Sequence, residues 1–307
     1  MYGRAPEVGL LHLASIVLGH TMRNGRPLPL LEMVVGKKVH LSELIPIDLI
    51  LRSSDQELIG AHKANLEHFS DGFPSADSVS DSKEPVDLSE NGATLKLLLS
   101  GMHKQKFPTL SGLGSDQLLA LAEAGEKYFV YGVMAACSEH IRAEGRLVKD
   151  GRTAIAYFAY AAKFGYLDVA DAVAPFMVDL DTTYMKSRLT GYDTAFLAWM
   201  RYREQFVELS DALTSIPANV HVVAPRDGCT AWANYVAAMR VTLPMTVKGH
   251  LKMLRGASFD RLEGIFDAHY YVLRQTCRCR ACCEMVSTWK AEVRKNLSAT
   301  KPFSSFL

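Results

Sequence analysis

No excess of either charge marks this chain of 307 residues: 34 lysines and arginines face 33 aspartates and glutamates, a formal net charge of +1. That balance excludes a chain-wide attraction for nucleic acid or an anionic membrane, and leaves only local basic patches to weigh. Cysteine is scarce too. Of the six, four (Cys277, Cys279, Cys282 and Cys283) crowd into seven residues, which cannot staple distant segments as a secreted disulfide framework does. A reducing compartment is expected, cytoplasm or nucleus, where the sequon Asn296-Leu297-Ser298 has no meaning.

Long apolar runs are missing. The nearest is Gly9 to Gly19, roughly half the ~20 residues a bilayer span requires and interrupted by His12. As a secretion signal it is poor, because Glu7 offsets Arg4 and no small-x-small cleavage site follows. No membrane segment is expected. Catalytic motifs are missing as well: the chain has no G-x-S-x-G and no H-E-x-x-H. Gly112-Leu113-Gly114-Ser115 lacks the lysine of a phosphate loop, and Glu123 and Glu126 read as carboxylates on a helix surface. An enzyme is therefore not expected.

What the chain does have is core material, with 49% hydrophobic and 22% charged residues, close to the globular norm. From Pro46, two short apolar runs (Ile47 to Arg52, Gln56 to Ala61) flank Ser53-Ser54-Asp55, the pattern of a β-hairpin. Leu66, Phe69 and Phe73 follow at helical spacing, then an exposed Ser/Asp-rich loop over 75–83, then a brief strand over 85–88. Leu95, Leu98, Leu99 and Met102 mark an amphipathic helix. Ser115 is the expected N-cap of the next, with Leu118, Leu121, Ala122, Gly125 and Phe129 as its buried stripe, and Gly145 is the expected stop of a further one. Beyond residue 145 the strand signals fade. Helical faces recur at Ile155 to Ala162 (ended by Gly165), 169–178, 195–209 and 259–290, with a break at Leu243-Pro244-Met245.

The stretch from Asp48 to Arg142 resembles the BTB/POZ family, above all the divergent members abundant in mushroom-forming fungi. Four features carry the likeness: D-L-I-L-R-S-S-D (Asp48 to Asp55); L-I-G-A-H-K-A-N-L-E-H-F-S-D-G-F (Leu58 to Phe73); V-D-L-S-E (Val86 to Glu90) before a leucine-rich helix; and the helices from Leu118-to-Tyr128 to Cys137-to-Arg142. The second is the most specific, since it fixes several residue types at set offsets. Ala159 to Tyr166 is also similar to the helix that follows the domain in those fungal proteins. The resemblance implies an α+β fold, a small mixed sheet flanked by helices, followed here by an all-helical extension. It also implies a protein-interaction role, by self-association as a homodimer or by recruiting a protein partner. In dimeric members an aspartate of the first strand and a basic residue after the alanine-histidine pair line a charged pocket. Asp48 and Lys63 match those positions, beside His62. They are candidates for a dimer or partner interface, or for an ordinary fold-stabilising pair, with His62 read as a hydrogen-bonded structural histidine. The hydrophobic-x-glutamate element of cullin binders finds no match, because the Ser/Asp-rich loop occupies its place.

Two further readings concern the C-terminal part. Cys279 and Cys282 have the Cys-x-x-Cys spacing that offers two thiolates to one zinc ion. Cys277 could add a third ligand, and Cys229, His269 or Cys283 a fourth. Without a second separated pair, the same cysteines also read as small apolar side chains packed near Trp232 or Trp289, so the cofactor is either structural zinc or none. Separately, Arg274, Arg278, Arg280, Lys290, Arg294, Lys295 and Lys301 outnumber Glu284 and Glu292. A basic run of that kind is the alternative functional reading, a nucleic-acid-binding or transcription-related regulator. The expected organisation is an arm over 1–45, a BTB/POZ-like domain over 46–145 and a helical region over 146–307.

Overall fold

The computed structural model describes residues 47–73, 84–103, 106–148, 150–216, 230–256, 258–276 and 280–307, with the backbone of two short strands before them. Those strands, β1 (Met22–Arg23) and β2 (Arg26–Pro27), pair antiparallel. The Ser/Asp-rich loop, Cys229, Cys277, Arg278 and Cys279 lie outside the described residues. The chain forms two compact units, Met1–Cys137 and Ser138–Leu307. The division falls inside a helix.

In the first unit the hairpin forms as the apolar alternation dictates. β3 (Leu49–Arg52) pairs antiparallel with β4 (Leu58–Ala61), Leu49 opposite Ala61 and Leu51 opposite Ile59, and these four side chains are buried. Gln56 takes a left-handed φ of 65° in the turn, which Ser53 closes by accepting from the Glu57 N–H at 2.9 Å. A short strand, β5 (Val86–Asp87), runs parallel to β3 on its other side, giving the mixed order β4-β3-β5.

Four helices accompany the sheet: α1 (Lys63–Phe69), α2 (Gly92–Ser100), α3 (Ser115–Lys127) and α4 (Tyr131–Gly145), the last crossing the division. Leu95, Leu98, Leu99 and Met102 are all fully or almost fully buried, as their spacing demands. Asp55 of the hairpin turn accepts from the Gly92 N–H at 2.8 Å, so the turn itself satisfies one open donor at the start of α2.

Three local expectations change. Phe73 is not on α1, because Ser70 turns extended (φ −147°, ψ 134°) and ends the helix. Ser70 and the Gly72 N–H both donate to the Tyr128 carbonyl, and Phe73 stacks on the Tyr128 ring at 4.4 Å. Ser115 is the first helical residue of α3 rather than its cap, which is Gly114. Phe129 is 47% exposed instead of completing the buried stripe. It closes α3 in the left-handed conformation (φ 51°), with its N–H on the Glu126 carbonyl and the Val130 N–H on that of Gly125, the C-terminal turn glycine usually makes.

The second unit is helical throughout its described residues: α5 (Gly151–Phe164), α6 (Leu167–Val173), α7 (Thr182–Arg188), α8 (Asp193–Thr214), α9 (Thr230–Thr242), α10 (Val247–Leu254), α11 (Asp260–Thr276) and α12 (Arg280–Ser298), with 3-10 turns at Ala174–Phe176 and Phe303–Phe306. Asp150, Asp181 and Thr246 cap α5, α7 and α10 through their side chains, and Gly165 ends α5 at φ 78°. The core is aromatic: Phe158 meets Phe303 edge-on at 4.8 Å, Phe266 meets Trp289 at 5.0 Å, and Trp199 and Phe206 of α8 are fully buried. Asp171 of α6 holds the final turn by accepting from both the N–H and the hydroxyl of Ser304, each at 2.7 Å. No helix among the described residues is long and apolar enough to cross a membrane.

Candidate functional site

Asp48 enters β3, β4 ends at Ala61, and His62 is the non-helical residue (φ −116°, ψ 116°) that opens α1. His62 offers no side-chain cap; the Asp48 carboxylate substitutes for one by accepting from the Lys63 main-chain N–H at 2.8 Å. A carboxylate at the first turn satisfies an open donor and favours the helix dipole. The residues expected to pair by charge are thus joined through the backbone. His62 is half-buried, with its ring edge-on to that of His103 at 5.8 Å.

Beside them a cleft of about 150 Å³ is lined by Leu49, Leu51, Leu66, Phe73, Val86 and Tyr128 among others. Its lining is mainly apolar, and it is smaller than the ~300 Å³ at which pockets begin to hold small-molecule substrates. One wall is fixed by a polar latch that the sequence reading did not identify. Glu90, just after β5, accepts from Tyr128 Oη at 2.7 Å and from Lys127 Nζ at 2.8 Å. Burial alone would raise the Glu90 pKa; the hydrogen bonds from Lys127 and Tyr128 outweigh it and hold the carboxyl below its usual value. Both partners stood in view, in V-D-L-S-E and E-K-Y, but nothing in their spacing joins two segments 37 residues apart.

In the second unit an open cleft of about 580 Å³ is lined by Glu139, Arg142, Arg146, Asp168 and Asp171 with several apolar residues. Among the described residues its lining contains no serine, threonine, cysteine or histidine. Arg142 is engaged by Glu139 and Asp168, and Asp171 by Ser304. A serine and a histidine do meet elsewhere: Ser210 Oγ lies 2.7 Å from His250 Nδ1, yet both residues are almost wholly buried.

Of the cysteines proposed for zinc, Cys282 and Cys283 are described: Cys282 is buried on α12 along the face that carries Val286, Trp289 and Val293, and Cys283 is half-buried. Among the described residues no group of three or more histidine, cysteine, aspartate or glutamate side chains could hold a metal ion. Cys229, Cys277 and Cys279 fall outside them, so the postulated site does too. His269 Nε2 is 2.7 Å from the Thr242 hydroxyl.

Three of the seven basic residues of the C-terminal run are engaged in ion pairs. Lys290 bridges Glu263 and Asp267 of α11, Arg294 also reaches Glu263, and Arg280 pairs with Glu284 one turn on. The acidic partners from α11 come from outside the run and escaped a count confined to it. Compared with known proteins, the chain matches no family model, no curated protein and no solved structure at a significant level.

Proposed function

We propose that the first unit is a BTB/POZ-like protein-interaction module that associates with a second copy of the chain, the helical unit serving as a scaffold for further contacts. The observation that carries this reading is the mixed sheet β4-β3-β5, in which a hairpin delivers Ala61-His62-Lys63 to α1 and Val86–Asp87 returns parallel to β3. It is the arrangement the resembling motifs imply, in the order in which they occur. Two further features support docking over turnover: the small apolar cleft, and the exposed Val86, Phe129 and Tyr131. The nucleic-acid alternative is the weaker one, because ion pairs with α11 engage Lys290 and Arg294, two of the basic residues on which it rests.

The test is co-purification of two differently tagged full-length copies expressed together. Recovery of the second copy with the first, unchanged by nuclease and moderate salt, is the expected result. Failure to recover it removes self-association. Salt-sensitive recovery that nuclease abolishes would favour a nucleic-acid bridge.

A further inference from the structure

The Ser210–His250 pair joins two helices forty residues apart in sequence. His250 is 2% exposed and Ser210 is 1% exposed. Nδ1 meets the serine hydroxyl, while Nε2 is buried with no hydrogen-bond partner. A neutral ring tolerates that position. A protonated ring fits it less well, because both nitrogens then become donors, and the Pro244 carbonyl near the ring makes no hydrogen bond to Nε2 as the helix now sits.

We propose that His250 is an acid-triggered release for α10: proton uptake at Nε2 detaches the helix Val247–Leu254 from α8, while the neutral ring locks it in place. The surroundings favour the neutral form. Burial pushes the pKa of His250 below the ordinary 6.5, and the Pro244 carbonyl and Asp211 pull it back only in part. Asp211 is the charged group of α8 that acts on the ring, and it is exposed, so solvent weakens its attraction. On its own helix, Lys248 and Lys252 are exposed. The same helix buries Leu251, Met253 and Leu254, so its release uncovers an apolar strip.

The sign follows from linkage. A histidine whose folded-state pKa is depressed stabilises fully above the unfolded value of 6.5, and its contribution fades as pH falls from there toward the folded value. Opening of α10 therefore becomes more frequent as the pH is lowered from 7.5 to 5.5.

Hydrogen exchange of the whole chain at the two pH values, corrected for intrinsic rates and referenced to the buried α3, reads this directly. The expected result is a selective loss of protection over Val247–Leu254 in the wild type and none in His250→Gln. Equal loss in wild type and variant, or none in either, overturns the proposal. Should the variant fail to fold, the NMR titration of the His250 ring in the wild type decides: a pKa at or above that of a free histidine overturns the proposal, and a depressed one with α10 resonances broadening in acid upholds it.

Discussion

The two units are held together in different ways. In the first, polar groups reach across the chain to backbone: Asp48 to Lys63, Asp55 to Gly92, and Ser70 and Gly72 to the carbonyl of Tyr128. Glu90 adds a charged tie to Lys127 and Tyr128. In the second, such ties also occur (Asp171 to Ser304, Arg203 to Val178, Arg255 to Phe176), but they stand beside a core of fully buried aromatic side chains such as Trp199, Phe158, Phe206 and Phe266, which the first unit lacks among its described residues. The difference teaches that the small sheet unit depends on fit at a few backbone positions, whereas the helical unit depends on the volume that fills its core. Substitutions can separate these two modes.

The largest effect is expected from Trp199→Ala. Emptying a fully buried indole should cost about 3–5 kcal/mol, seen as a lower urea midpoint for the second unit. Gly72→Ala comes next. Its Cβ would lie 2.6 Å from Tyr128 Cα, a backbone atom that cannot swing aside, and a loss of about 1–3 kcal/mol in the first unit is expected. A Gly72→Ala protein with an unchanged midpoint would break the comparison, since backbone fit would then not limit that unit.

Acid sharpens it further. The Glu90 pKa is held below 4.5, so its stabilisation is complete above that value and fades as pH drops through the folded value. His250 gives way at higher pH, beginning near 6.5. Hydrogen exchange in descending pH should therefore show α10 opening before the Glu90 latch, and Glu90→Gln should weaken the first unit by about 1–2 kcal/mol near neutrality.

A smaller effect of opposite sign is expected at Phe129. A phenylalanine at φ 51° bears a steric cost that glycine escapes, so Phe129→Gly should stabilise the first unit by about 1 kcal/mol and raise its urea midpoint. If that variant is more stable but no longer self-associates, the exposed ring contributes to docking. Least affected is Cys137, whose buried thiol is pushed up to about 12 by burial, with Glu126 adding to the rise. It should resist alkylation in the folded chain while the half-buried Cys283 reacts sooner, as mass spectrometry of the labelled protein would record.

Much of this architecture could be read beforehand wherever a local rule governs it. The hairpin followed from two apolar runs about Ser53-Ser54-Asp55, and α2 from Leu95, Leu98 and Leu99. Gly165 ended α5 because a left-handed residue was needed there. The misses are long-range. Ser70 leaves α1 to reach Tyr128, 58 residues on, and carries Phe73 off the helix with it. Phe129 matched a helical stripe yet closes the helix, since the Gly125 and Glu126 carbonyls needed donors more than the core needed its ring. The sequence offered Asp48 and Lys63 as a charge pair, but not the bond from the Lys63 main-chain N–H to the carboxylate. The Ser210–His250 contact joins two helices through packing alone, which no spacing within either one encodes.

The account stands or falls on whether the sheet unit brings chains together. Light scattering of the full-length protein over a dilution series measures that most directly. A particle of about twice 33.9 kDa that dissociates only on strong dilution is the predicted result. A constant 33.9 kDa at every concentration would contradict it.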